Sequence, residues 1–288
     1  MLLGLAIVLS FGLMAQTLPH VSDANEIATG VYDNKTIAGL ITVITTTNPI
    51  PSMPNTRLLC AAQTSLNRSP ILALCKKIIV FDGVQPGYAH RAEDYELYKK
   101  CVAQLTQNLP AFANTELVFC SSWQYIGGAV REAMKRVTTP FVFLHQHDLI
   151  LTKDVDFAGI IATMIGNPRV KYVGLMDHSE NTAFSNDRVD DVIEGFHCVP
   201  LCRTFGYSDR CHVARTEFYR EFVLPQCGNF SMEEAMNPIF GKAKHTLGME
   251  EAHRIFGTYL YGNLTDGGYH KHVDGRGTSQ PKPRPAHP

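Results

Sequence analysis

The sequence has one tryptophan in 288 residues, no long basic run, no C-x-x-C pair and no internal repeat. It also has no apolar stretch of the roughly 20 residues that a membrane-spanning helix needs. Each absence excludes something. With a net charge of −1 and no lysine- or arginine-rich segment, a nucleic-acid partner that covers the whole surface is ruled out. The substrate is then expected among small molecules or glycans. Without C-x-x-C spacing, zinc is the weaker reading of Cys198, Cys202, Cys211 and Cys227, although His197 and His212 flank two of them. Charged residues make up only 18% and hydrophobic ones 45%, a globular balance and not a disordered one. The length suits one large domain or two small ones.

The N-terminus carries no charged side chain before Asp23, and Leu2 to Ala15 is almost wholly apolar. That stretch reads as the hydrophobic region of a signal peptide, with Ser22-Asp23-Ala24 offering small residues for cleavage. A short signal-anchor is the alternative, and a helix packed in a core is the plain structural one. Residues 1–24 are assigned to this segment, which predicts entry into the secretory pathway, to the ER or Golgi lumen or beyond. Membrane association is expected only through this segment, if it stays uncleaved. Asn34, Asn67, Asn229 and Asn263 each open an N-x-S/T sequon, the second followed at once by Pro70. The eight cysteines are an even number, and an oxidising lumen predicts one or two bridges in the Cys198–Cys227 cluster, with three full pairings open.

From Leu40 onward, apolar β-branched runs alternate with amphipathic ones. LITVITTT, KKIIVFDG, ELVFCSS, PFVFLHQ and VKYVGLMD predict strands. TRLLCAAQTSL, GGAVREAMKRV and the segment around Tyr95, Tyr98, Val102 and Leu105 predict helices. DVDFAGIIATMIG predicts another, with Asp154 as its N-cap and Gly166 as its stop. Such alternation means βαβ units and an α/β fold with a mostly parallel sheet flanked by helices. Parallel strands are covered on both faces, which accounts for runs that are continuously apolar. Residues 25–275 are taken as one domain with a polar lead-in to residue 38. The Pro- and Gly-rich residues 276–288 are expected to be a disordered tail. The polar stretch after Asp177 reads as a loop over a cleft.

Ligands in open α/β sheets gather at the carboxyl ends of the strands. The polar residues there are Thr45–Thr47, Asp82, Ser121 and Ser122, His145–Asp148, and Asp177 with His178. Asp82 can accept a hydrogen bond from a ribose or a base edge, or is a plain turn aspartate. His145 and His147 are spaced to share one side of a strand. As neutral rings they can bind a metal together with Asp148; protonated, they can bind a diphosphate directly. A hydrogen-bonded pair under a loop is the structural alternative. Further on, Ser231 and Glu234 form an S-x-x-E capping box, so Glu234 has a structural role open to it besides that of a general base. His270, His272 and Asp274 lie in YHKHVDGR and either return to the cleft as metal or phosphate contacts or stay on the surface.

This layout resembles the GT-A-type nucleotide-sugar glycosyltransferases, particularly family-2-like inverting enzymes. The resemblance spans roughly residues 40 to 275. It rests on the strand with Thr45–Thr47, the strand ending in Asp82, the helix GGAVREA, and the strand FVFL followed by a polar triplet. It implies a GT-A-like, Rossmann-type fold and transfer of a sugar from a nucleotide-diphosphate sugar donor to a glycan or glycoconjugate acceptor. It implies donor contacts at Thr45, Thr47, Asp82, Arg131, His145 and His147. The family's metal-holding D-x-D is replaced here by His145-Gln146-His147, with Asp148 next. A divalent cation, Mn2+ or Mg2+, would then be held by His147, Asp148 and His272. The acceptor-deprotonating carboxylate resembles Glu233-Glu234. The alternatives are a zinc hydrolase built on His145, His147 and Asp148, and an inactive nucleotide-sugar-binding relative.

Overall fold

The computed structural model describes residues 33–177, 199–262 and 267–274. The expected N-terminal segment, most of the loop after Asp177, Cys198 and the C-terminal tail lie outside the described residues. The chain opens with a short helix, α1 (Asn34–Ala38), where Asp33 accepts the Thr36 N–H at 2.8 Å. Strand β1 (Ile41–Thr47) follows, then α2 (Arg57–Leu66), α3 (Pro70–Leu74), β2 (Lys76–Phe81), α4 (Ala92–Asn108) and β3 (Thr115–Phe119). Helix α5 (Tyr125–Met134) leads to β4 (Phe141–Gln146), β5 (Leu149–Leu151), α6 (Phe157–Gly166) and β6 (Tyr172–Leu175). The second part holds β7 (Leu201–Arg203), β8 (His212–Arg215), a helical run with a π turn at Tyr219–Val223, α7 (Met232–Leu247), α8 (Met249–Phe256), β9 (Thr258–Tyr261) and β10 (His270–His272).

Eight strands form one sheet in the order β3-β2-β1-β4-β8-β6-β9-β7, and β10 pairs with β5 in a second, small sheet. The pairings β3-β2-β1-β4 and β6-β9 are parallel, whereas β8 runs against β4 and β6, and β7 against β9. Six of the eight strands therefore point the same way, as the alternating pattern predicts. Both faces are buried. Val43, Phe141, Phe143, Val173 and Val213 pack on one side with Ile160, Ile161 and Met164 of α6. Their sequence neighbours Ile44, Val142, Leu144, Tyr172 and Ala214 pack on the other with α5, α7 and α8. Period-2 strands covered twice have no polar face to show, so the apolar runs are unbroken. Tyr95, Tyr98 and Val102 of α4 are buried against Phe81 and Phe112, at the spacing the sequence predicts.

One cap differs from expectation. The N-cap of α6 is Asp156, whose Oδ1 accepts the Gly159 N–H at 2.7 Å. Asp154 stands exposed, 3.6 Å from the Arg68 guanidinium. Val155 and Phe157 both bury their side chains, so the chain stays irregular for two more residues before it can turn helical.

Candidate functional site

The parallel strands β1, β2 and β4 end at one edge of the sheet, and the register places Thr45 beside His145 and Thr46 beside Gln146. The Thr45 hydroxyl accepts from Gln63 Nε2 at 2.8 Å and lies 3.5 Å from His145 Nδ1. The Thr47 hydroxyl lies 3.3 Å from the Tyr98 hydroxyl. Both threonines are buried and serve the packing of the strand end. Asp82 follows β2 and is buried. Its Oδ1 accepts the Gly83 and Gln124 N–H groups, each at 2.8 Å. Burial raises its pKa, and those N–H groups oppose the rise. Gly83 is required here, because a Cβ would sit 2.1 Å from the Ser122 carbonyl carbon and the Trp123 nitrogen. Asp82 is thus a clamp on the loop between β3 and α5. Arg131 of α5 donates to the carbonyls of Leu224 at 2.9 Å and Gly228 at 3.1 Å, which ties α5 to the helical run before α7.

At the end of β4, His145 is fully buried and its Nε2 has no hydrogen-bond partner. Burial pushes its pKa down to about 4. Of the two readings for position 145, this favours the neutral ring over an imidazolium that neutralises a diphosphate. His147 Nδ1 lies 3.3 Å from the Thr46 carbonyl oxygen, and Asp148 is buried.

The other side of this strand end is covered by the far end of the described chain. β10 pairs antiparallel with β5, with His272 opposite Leu149. The Val273 N–H donates to the Asp148 carbonyl at 2.9 Å, and a further bridge joins Asp177 to His270. His270 is completely buried, and neither ring nitrogen has a hydrogen-bond partner. The Asp177 carboxylate lies 2.6 Å from Arg210. His272 Nδ1 lies 3.5 Å from Asp148 Oδ2. Asp148, His272 and Asp274 offer ligand atoms that all lie within 4.8 Å of one another. Two carboxylates and an imidazole are the donor chemistry of Mn2+ and of related divalent cations. The residues therefore fit the expected cation. Of the three ligands expected, Asp148 and His272 are brought together, and Asp274 stands in the group where His147 was placed.

The carboxylates ahead of α7 form the third part. Glu234 completes the capping box: its Oε2 accepts the Ser231 N–H at 3.1 Å, and its own N–H donates to Ser231 Oγ at 3.0 Å. Glu233 is exposed, and its backbone N–H donates to Asp209 Oδ1 at 3.0 Å. Asp209 escapes sequence reasoning because it sits in a loop without periodicity. Its carbonyl accepts from Gln146 Nε2 at 2.9 Å, which joins this group to the end of β4. Burial, with Glu233 and Glu234 nearby, raises its pKa to about 6 against the hydrogen bonds from Glu233 and Ser231.

One of the expected cysteine pairings, Cys211 with Cys227, is corrected. Among the described residues Cys211 and Cys227 carry free thiols, as do Cys60, Cys75, Cys101 and Cys120. Cys211 and Cys227 are buried in clusters on opposite faces of the sheet and so share neither a bridge nor a zinc ion. No described helix is long and apolar enough to cross a membrane.

No protein-family model matches the chain, and no curated protein matches it in sequence. Solved structures do. The chain is similar to the mannosyltransferase PcManGT from Pyrobaculum calidifontis, solved with GDP-Man and Mn2+. That match has 12% identity and a TM-score of 0.46 and covers 83% of this chain and 68% of the other. It is also similar to S. aureus TarS, at 13% identity and a TM-score of 0.46 over 80% of this chain but 36% of the other. The third is glucosyl-3-phosphoglycerate synthase from Mycobacterium tuberculosis, in complex with Mn2+, UDP and glucosyl-3-phosphoglycerate. Its values are 10% identity and a TM-score of 0.41, over 85% and 75% of the two chains.

Proposed function

We propose that the chain is a nucleotide-sugar glycosyltransferase that moves a sugar to a hydroxyl of a glycan or glycoconjugate with inversion. One observation carries this reading: β10 returns beside β5 and sets His272 and Asp274 against the buried Asp148, on the same sheet edge as Asp82. A carboxylate-rich cation site at the carboxyl ends of parallel strands is suited to a diphosphate. Asp148, His272 and Asp274 would hold a divalent cation, which supplies charge neutralisation to the leaving nucleoside diphosphate when bound. The chain's own residues do the rest. Asp82 fixes the loop between β3 and α5 at the rim of this edge. His145 and His270, kept neutral by burial, lie beneath the cation ligands without adding charge. Glu233, exposed and free of the cap that engages Glu234, would take the acceptor proton, and a single in-line displacement would invert the anomeric centre. We place the reaction in the secretory pathway, on the strength of the apolar N-terminal segment and the exposed sequons at Asn34, Asn67 and Asn229.

Calorimetry with UDP and GDP, with and without Mn2+, tests the reading. The expected result is Mn2+-dependent binding of at least one nucleotide that Asp148→Ala weakens by tenfold or more. Stoichiometric zinc with indifference to both nucleotides would replace the transferase by a hydrolase.

A further inference from the structure

The chain's only tryptophan is not used as a core residue. Trp123 is 41% exposed and Tyr125 is 40% exposed, with ring centroids 6.1 Å apart and planes at 82°. Large aromatic rings dominate cores, and two left open side by side at a sheet's ligand-bearing edge call for a contact. The backbone that presents them is held at a cost. Tyr125 has φ 60, a left-handed conformation that a bulky side chain rarely adopts. It is fixed from below, since Asp82 Oδ1 accepts the Gln124 N–H and Gly83 lies against the Ser122–Trp123 backbone.

The surroundings identify the occupant. Tyr125 opens α5, and Gly127 two residues on abuts Phe230, the residue before the Ser231–Glu234 capping box, so the aromatic corner adjoins the carboxylates ahead of α7; burial, then Glu234 and Asp209, raise the Tyr125 phenol's pKa. On the same rim, the Phe230 carbonyl abuts Gly127, where a Cβ would meet it at 2.2 Å, and the Phe230 ring is 63% exposed. An acidic border repels the phosphates of a nucleotide and accepts hydrogen bonds from neutral hydroxyls. An aromatic face carries negative quadrupole density, which suits the C–H groups on the flat side of a sugar ring. We propose that Trp123 and Tyr125 form an acceptor subsite that stacks a pyranose ring and leaves its hydroxyls to Glu233, Glu234 and Asp209. The inference rests on the transferase reading and adds to it the chemical class of the acceptor: a neutral saccharide and not a lipid phosphate or an acidic peptide.

Because Trp123 is the sole indole, its emission reports this subsite directly. The probes are neutral trisaccharides of glucose, mannose and N-acetylglucosamine, titrated into the full chain beside UDP and GDP with Mn2+. At least one saccharide is expected to shift or quench the emission. Tyr125→Gly, which relieves the left-handed backbone while deleting the ring, is expected to weaken that saccharide tenfold or more with nucleotide affinity within twofold of the parent. Trp123→Phe, followed by saturation-transfer NMR of the saccharide, gives a second, milder removal and should weaken it at least threefold. The subsite is overturned if no saccharide in the panel alters the emission, or if the nucleotides alone do so. It is overturned equally if Tyr125→Gly weakens nucleotide and saccharide alike. Failure of the transferase reading looks different: calorimetry then detects no nucleotide, whatever the indole reports.

Discussion

Strands β1 to β4 run parallel and are joined by helices that cross the sheet, whereas β6 to β9 are knitted together by the reversed strands β8 and β7. The two halves obtain their site residues differently. In the first, each polar group is the next residue of a buried strand: Thr47 closes β1, Asp82 follows β2, and His145 to Asp148 run on through the end of β4. In the second, residues far apart in sequence are brought in by pairing, as His272 is by β5 and Asp209 by Gln146. Strand order alone delivers the first set. The second depends on long-range packing, much of it aromatic, and can be lost while the first survives.

The sharpest way to break that contrast is to remove the packing of the second half. Phe256 is fully buried and stacks on Phe240, with centroids 4.3 Å apart and planes 9° from parallel. Phe256→Ala should destabilise the protein by about 3–5 kcal/mol in chemical denaturation, through lost burial and the cavity left behind. A loss under about 1 kcal/mol would mean that the ring stack does not hold this half.

Acidification tests both halves together. His145 belongs to the first and His212 to the second, and burial pushes each to about 4. The unfolded chain takes up their protons near pH 6.5, before the native state does, so stability is full above that pH and falls as pH drops toward 4. The slope approaches about 1.4 kcal/mol per pH unit for each ring. Asp209, raised to about 6, has the opposite sign, because the native carboxyl binds its proton first on acidification. Denaturation series at pH 7 and pH 5 should show a net loss that deepens in Asp209→Asn. A flat profile would place water or a charge beside these rings.

The smallest effect belongs to Glu234→Gln. The amide keeps an acceptor for the Ser231 N–H, so stability should change by no more than about 1 kcal/mol. Transfer activity should survive, with Glu233→Gln the variant that loses it. The reverse outcome would make Glu234 the base and its cap incidental.

The first half was largely legible in the sequence because covered strands and amphipathic helices leave a period. The run through Tyr95, Tyr98 and Val102 and the apolar stretch PFVFL were each enough to place an element. The strands LCR, HVAR and HKH were not, since three or four residues with polar members carry no pattern, and only pairing partners make them strands. The same limit applied to the site. Asp148 and His272 stood out as metal-ligand types in short clusters. Asp209 offered no such signal, and Asp82 gave its position but not its bond to the Gln124 N–H across 42 residues.

The pairing of β10 with β5 also has a consequence for timing. Both residues grouped with Asp148, His272 and Asp274, belong to a segment synthesised more than a hundred residues after it. All eight strands of the main sheet precede β10 in the chain and can pair while the proposed cation site is still incomplete. Proteolytic clipping just ahead of His270 would remove two of the three proposed ligands while leaving every strand of the main sheet in the chain.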